Sequence, residues 1–205
     1  MKIQTEDKQT LEENIRFIKK IMHDTKRAQL NTGPIIILWG IMVTIAQSST
    51  FILIKAAKPD FIWPMWGIIA SVGAVLSFFL LRRYKSLHTF SEKILSSIWF
   101  AFGISAAIFI FVSPLGKSGI DDLGTGINPV ICLLLGMAYQ LTGIVYDRIW
   151  IKCISFCWWA GAILLFIWQG VHSYLIFAVF MLLFQVLPGI KLYCDYRKEL
   201  ALHED

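Results

Sequence analysis

The sequence predicts an all-α, polytopic membrane protein with six transmembrane helices and cytoplasmic N and C termini. First, 57% of the 205 residues are hydrophobic and 16% are charged, whereas soluble domains are about 45–50% apolar and about 25% charged. Second, six apolar stretches each approach the ~20 residues that cross a ~30 Å hydrocarbon core as a helix. Third, the bases lie almost entirely on one side of these stretches. Together these observations exclude a disordered chain, a disulfide-stapled mini-protein and an ordinary cytosolic enzyme.

Residues 1–33 are predicted to be cytoplasmic and to contain an amphipathic helix over 10–30. Thr10 and Glu13 fit a capping box, in which each side chain satisfies the other residue's backbone N–H. Apolar residues then recur at helical spacing, namely Leu11, Ile15, Ile18 and Met22. This face could lie on the membrane surface, pair with a second copy of the chain, or dock on the cytoplasmic end of its own bundle.

The spans are predicted at residues 34–54, 61–81, 94–115, 127–146, 149–169 and 173–190, with a cytoplasmic tail over 191–205. None of them contains an acidic residue. The single base is Lys152, close enough to a span end for its ammonium to reach the interface. The apolar runs are continuous, whereas barrel strands alternate apolar and polar residues over about ten positions. Helices are therefore the predicted spanning element.

Basic residues set the predicted orientation. Of the 19 Lys and Arg, all but Lys55, Lys58 and Lys117 fall on the side of the two termini, and loops rich in bases stay in the cytoplasm. The net charge of +5 thus indicates a basic rim that faces the anionic headgroups of the bilayer. Nucleic acid is not an expected partner, because no basic patch is interleaved with aromatics on a soluble domain. We expect a multi-pass protein of the cell (inner) membrane.

Three spans carry small residues at helical spacing, which in lipid favours close helix packing. We therefore expect these faces to point inward, towards neighbouring helices. They are Gly67, Ser71, Ala74 and Ser77 in the second span, with Ala70 and Gly73 beside them, Ser97, Ala101 and Ser105 in the third, and Cys153, Cys157 and Gly161 in the fifth.

The fourth span has the most polar face. Its members are Asn128, Cys132, Gly136, Tyr139, Gly143 and Tyr146. Gln140 flanks this face, and Gln47 and Gln185 are the other amides well inside spans. An amide without a partner in hydrocarbon costs several kcal/mol. These groups either bond across helices or line a wet cavity, for which the candidate lining is Gln47, Tyr139, Gln140 and Gln185.

Catalysis and ion coupling are not expected. No Asp, Glu, Arg or Lys lies in the middle of a span, although proton relays and cation sites need such groups at membrane depth. Metalloprotease, nucleophile-elbow, P-loop and dinucleotide-binding motifs are missing from the sequence. The cysteines form neither a redox CxxC nor a zinc pair with partners. No catalytic residue, metal site or cofactor is predicted.

One resemblance involves the first 45 residues or so. Ile18–Met22, Thr25–Arg27, Gly33 and the Trp39-Gly40 pair resemble the opening of small, uncharacterised bacterial membrane proteins, in which a charged amphipathic helix leads into a Trp-Gly first span. Similar proteins are encoded near small transcriptional regulators, which implies a regulatory role. The resemblance implies no catalytic or ligand-binding residue.

Three functions remain open at this point. The favoured hypothesis is a non-enzymatic regulatory or interaction module that acts through a protein partner or through self-association, with the N-terminal helix and the basic rim as its contact surface. The alternative is a small uncoupled transporter or channel-like permease that uses the face of Tyr139 and Gln140. A weaker third hypothesis is a lipid-modifying enzyme, for which Asp121, Asp122 and His172 are the external polar candidates.

Overall fold

The computed structural model describes residues 33–83, 90–112 and 126–201, and these residues are helical apart from short turns. The helices are α1 Gly33–Lys55, α2 Ile62–Arg83, α3 Phe90–Val112, α4 Ile127–Val145, α5 Ile149–Ile167, α6 His172–Met181 and α7 Leu187–Ala201. A 3-10 turn, Pro59–Phe61, precedes α2, and a π-helical turn, Leu182–Val186, joins α6 to α7. In the described residues, six helical runs are long and apolar enough to cross a membrane. The predicted all-α fold with six spans is confirmed.

Two helices extend beyond the predicted spans. The last span is predicted to end at Ile190, but its helix continues as α7 to Ala201, and in this extension Leu192 is buried and Gly33 of α1 packs close to Tyr193. Likewise α3 begins at Phe90 rather than at residue 94. The predicted amphipathic helix over 10–30 lies outside the described residues, and the cytoplasmic location of the termini stays a prediction.

The π-helical turn coincides with a Pro-Gly pair. Pro188 has no N–H to continue the helical ladder, and a helix relieves this defect by shifting its hydrogen bonds over one turn. The next residue, Gly189, allows a close approach to α1, because a Cβ there would lie 2.7 Å from the Cγ1 of Ile37. The Pro188-Gly189 pair thus accounts for the wider helical turn at Gln185 and for the close packing of α7 against α1.

The core lies between α1, α4, α5 and the α6–α7 helix. Its largest fully buried side chains are Trp158, Tyr139 and Phe177. Half of the residues in the apolar part of α4 are buried. The buried share of the corresponding part is 28% in α1, 33% in α5 and 44% in the last span. Helix α4 is therefore the central helix of the bundle.

Helices α2 and α3 lie at the periphery of the bundle, because only 6% and 11% of the residues in their apolar parts are buried. Helix α2 packs on α1, where the Trp39 indole donates to Ser77 Oγ (3.1 Å) and the Trp66 indole donates to Thr50 Oγ1 (3.1 Å). Helix α3 packs on α4, where the rings of Trp99 and Tyr139 are 5.7 Å apart.

The expectation that the small-residue faces point inward is wrong for α3, for most of the α2 face and for most of the α5 face. Exposed positions on these faces are Gly67, Ser71, Ala74, Ser97, Ala101, Ser105, Cys153 and Cys157, whereas Gly161 is buried. Trp39 of α1 and Trp66 of α2 make the contact between these two helices, so the inner face of α2 is the one that contains Gly73 and Ser77. Small residues mark where two helices can approach closely, but the bulky indoles determine which face of α2 packs against α1.

Candidate functional site

The polar face of α4 is the centre of the candidate site. All six residues that the sequence assigns to this face are buried, namely Asn128, Cys132, Gly136, Tyr139, Gly143 and Tyr146. Its glycines allow large groups of α5 to pack directly on the helix: a Cβ on Gly136 would overlap the indole of Trp159. This face therefore positions α4 against its neighbours along its whole length.

Gln47 of α1 and Asn128 of α4 form a buried amide pair. The Gln47 Nε2 group donates to Asn128 Oδ1 over 2.9 Å, and the two residues are 5% and 2% exposed. The pair makes this one bond, so Gln47 Oε1 and Asn128 Nδ2 have no partner within the described part of the chain. The bond fixes α1 to the first turn of α4. It leaves one amide oxygen and one amide N–H group next to it without a partner among the described residues.

Tyr139 and Gln185 connect α4 with the π-helical turn. The Tyr139 hydroxyl donates to Gln185 Oε1 over 2.9 Å, and both side chains are buried. Because a π turn displaces the backbone by one residue relative to an α-helix, it determines where Gln185 points. The π-helical turn thus supplies the hydrogen-bond acceptor for Tyr139, the most deeply buried tyrosine among the described residues.

Gln140 bonds to α5. The Ser155 hydroxyl lies 2.7 Å from Gln140 Oε1 and 2.6 Å from the carbonyl oxygen of Lys152. A hydroxyl has one proton, so the two acceptors share a single donor. The residues predicted as candidate cavity lining, Gln47, Tyr139, Gln140 and Gln185, all bond across helices in this way.

Aromatic rings fill the space around these bonds. Tyr139 stacks on Trp158 with centroids 6.3 Å apart, and Trp158 contacts Phe177 (6.1 Å) and Phe184 (6.0 Å). Trp99 closes the other side of Tyr139. The described residues contain no group of three His, Cys, Asp or Glu side chains that could hold a metal ion. The arrangement can orient helices, but it brings no nucleophile next to a base.

An open groove runs along the outside of the bundle between α3 and α4, with a volume of about 550 Å³. Its α3 wall includes Ser97, Ala101 and Ser105, which are the small residues expected to pack against a neighbour. Its α4 wall includes Met137 and Leu141. At one end of the groove lies Lys93.

The other candidate residues are separated from this centre. His172 lies at the start of α6, where its ring is 5.7 Å from that of Phe51. Asp121 and Asp122 lie outside the described residues, and so do Leu11, Ile15, Ile18 and Met22.

Sequence reasoning missed two partners. Asn128 was assigned to the polar face but not to Gln47, and Ser155 was not singled out. A signal for Ser155 was present, because it is the single hydroxyl residue in α5 and Gln140 is one of the two amides in α4, the helix that pairs with α5. A comparison of the chain with protein families, curated proteins and solved structures finds no match.

Proposed function

We propose that this protein is a non-enzymatic regulatory module of the cell membrane that acts by binding a partner protein within the bilayer, with both termini in the cytoplasm. One observation carries the proposal: α4 has half of its residues buried, whereas α2 has 6%. A span with so little contact to its own bundle is available to another protein. We place the contact surface on the outer face of α2, in addition to the N-terminal helix and basic rim predicted from sequence.

The residues on that face suit helix–helix contact. Gly67, Ser71 and Ala74 recur at spacings of four and three and are all exposed. In lipid, where no hydrophobic force drives helices together, small residues permit the close backbone approach that stabilises association. A Cβ on Gly67 would meet no atom of another described helix within 4 Å, so none of the described neighbours requires a glycine there.

The buried polar groups support an interaction module over the alternative, an uncoupled transporter. A solute path needs polar groups that face it, and Gln47, Gln140 and Gln185 each bond to another helix instead. The resemblance to bacterial proteins encoded near transcriptional regulators supports the regulatory part of the proposal.

A photo-crosslinking residue in place of Ser71 tests the proposal in native membranes. We expect a discrete protein adduct, either with a different protein or with a differently tagged second copy. Gly67→Leu should abolish the adduct, because the larger side chain prevents close approach. Gly103→Leu is the matched control, since Gly103 is also an exposed glycine on a peripheral helix with no atom within 4 Å of an added Cβ.

Two results would contradict the proposal. One is the formation of lipid adducts alone from position 71. The other is an equal effect of Gly67→Leu and Gly103→Leu, which would show that the change acts on the membrane or on folding rather than on a specific contact.

A further inference from the structure

We propose that the groove between α3 and α4 holds one acyl chain of an anionic phospholipid, whose phosphate is bound by Lys93. The site lies on a different helix from the proposed partner surface of α2 and does not depend on it. Three features support it: the length of the groove, the character of its walls and the position of Lys93, the one charged side chain among the described residues that line it.

The length of the groove matches one leaflet. It runs from Lys93 to Ser105, which at 1.5 Å per residue is about 18 Å along the helix. Half of a hydrocarbon core that is ~30 Å thick is about 15 Å. A lipid in the leaflet on the side of the α2–α3 connection can therefore lay one chain along the groove while its headgroup stays at the interface.

The walls suit an acyl chain. Ala101 and Ser105 have short side chains and are exposed, so α3 leaves room beside its backbone. On the opposite wall, Met137 and Leu141 are 49% and 47% exposed and offer apolar surface. The groove volume of about 550 Å³ lies within the range of about 300–1,000 Å³ that is typical of ligand clefts.

The charge lies where a headgroup would be. Lys93 is exposed in the first turns of α3. Bases between membrane helices at the level of the headgroups bind anionic lipids. The remainder of the groove is apolar enough that a free phosphate would gain nothing from it, so the phosphate must be that of a lipid.

The experiment measures which lipids stay bound. The full chain is reconstituted in vesicles with equal amounts of phosphatidylglycerol and phosphatidylcholine, extracted in mild detergent and analysed by native mass spectrometry. Lys93→Ala removes the charge and Ala101→Trp fills the groove. The matched controls are Lys58→Ala, an exposed base at the opposite ends of the spans, and Gly103→Trp, on α3 but outside the groove.

We expect the unmodified protein to retain phosphatidylglycerol in preference to phosphatidylcholine. Lys93→Ala should lower this preference about five-fold, which corresponds to about 1 kcal/mol per base near the surface. Ala101→Trp should lose both lipids, and the two controls should match the unmodified protein. If circular dichroism shows that Ala101→Trp does not fold, Ala101→Leu makes the same comparison with a smaller side chain.

Three outcomes would overturn the proposal. The first is an unchanged lipid preference in Lys93→Ala. The second is equal lipid retention in Ala101→Trp and Gly103→Trp. The third is a dimer of the unmodified protein that Ala101→Trp converts to a monomer without loss of lipid, because a second copy of the chain would then occupy the groove.

Discussion

The inner helices and the peripheral helices of this protein use the same residue types in different ways. In α4, glycines and polar residues are buried and set the distances to α1, α5 and α6, so Gly136 accommodates Trp159 and Asn128 bonds to Gln47. In α2 and α3, a Cβ added at small residues such as Gly67 and Gly103 would meet no atom of another described helix within 4 Å. The comparison shows that a small-residue pattern indicates where a helix can be approached closely, but does not indicate which neighbour approaches it.

The largest expected difference between the two regions concerns tryptophan. Trp158 is 0% exposed at the centre of the bundle, whereas Trp63 of α2 is 49% exposed. Trp158→Ala leaves a cavity among Tyr139, Phe177 and Phe184, and we expect it to lower the free energy of unfolding by about 3–5 kcal/mol. Trp63→Ala should change it by less than about 0.5 kcal/mol.

Reversible unfolding in mixed micelles, followed by circular dichroism, measures both values. Similar losses for the two variants would mean that α2 is packed as tightly as the core, and the distinction between inner and peripheral helices would be wrong.

Glycine-to-alanine substitutions in the inner and peripheral helices should change the free energy of unfolding in opposite directions. In Gly136→Ala the new Cβ overlaps the Trp159 indole, and overpacking of this kind costs about 1–3 kcal/mol. In Gly103→Ala the Cβ enters open space, and the better helix propensity of alanine should add about 0.5–1 kcal/mol of stability. The same unfolding assay measures both. A stabilising Gly136→Ala would show that α4 and α5 can separate without loss.

The sequence predicts the inner region better than the periphery, for a physical reason. The polar face of α4 could be read directly, because polar groups in lipid must be buried and bonded, and each of its six residues is buried. The inner faces of α2 and α3 could not be read from the sequence, because lipid and protein interior are both apolar and the exposure of Gly67 to lipid carries no free-energy cost. Pairings such as Gln47 with Asn128 depend on helix arrangement, which the spacing within one helix does not encode.

Hydrogen bonds should show the smallest difference between the regions, and double-mutant cycles measure it. The inner cycle combines Gln47→Leu with Asn128→Leu, and the peripheral cycle combines Trp39→Phe with Ser77→Ala, whose bond joins α1 to α2 over 3.1 Å. Coupling energies between membrane helices average about 0.6 kcal/mol and reach about 1.7 kcal/mol. We expect the inner pair to lie near the upper value, because both amides are at least 95% buried, and the part-buried peripheral pair near or below the average. A coupling in the inner cycle no larger than in the peripheral one would mean that burial does not strengthen the bond between the two amides, because the cost of the unpaired Gln47 Oε1 and Asn128 Nδ2 belongs to each residue alone and drops out of the cycle. In that case the amide pair would stabilise the bundle no more than the α1–α2 contact does, and the retention of two amides at that depth would require an explanation other than helix association.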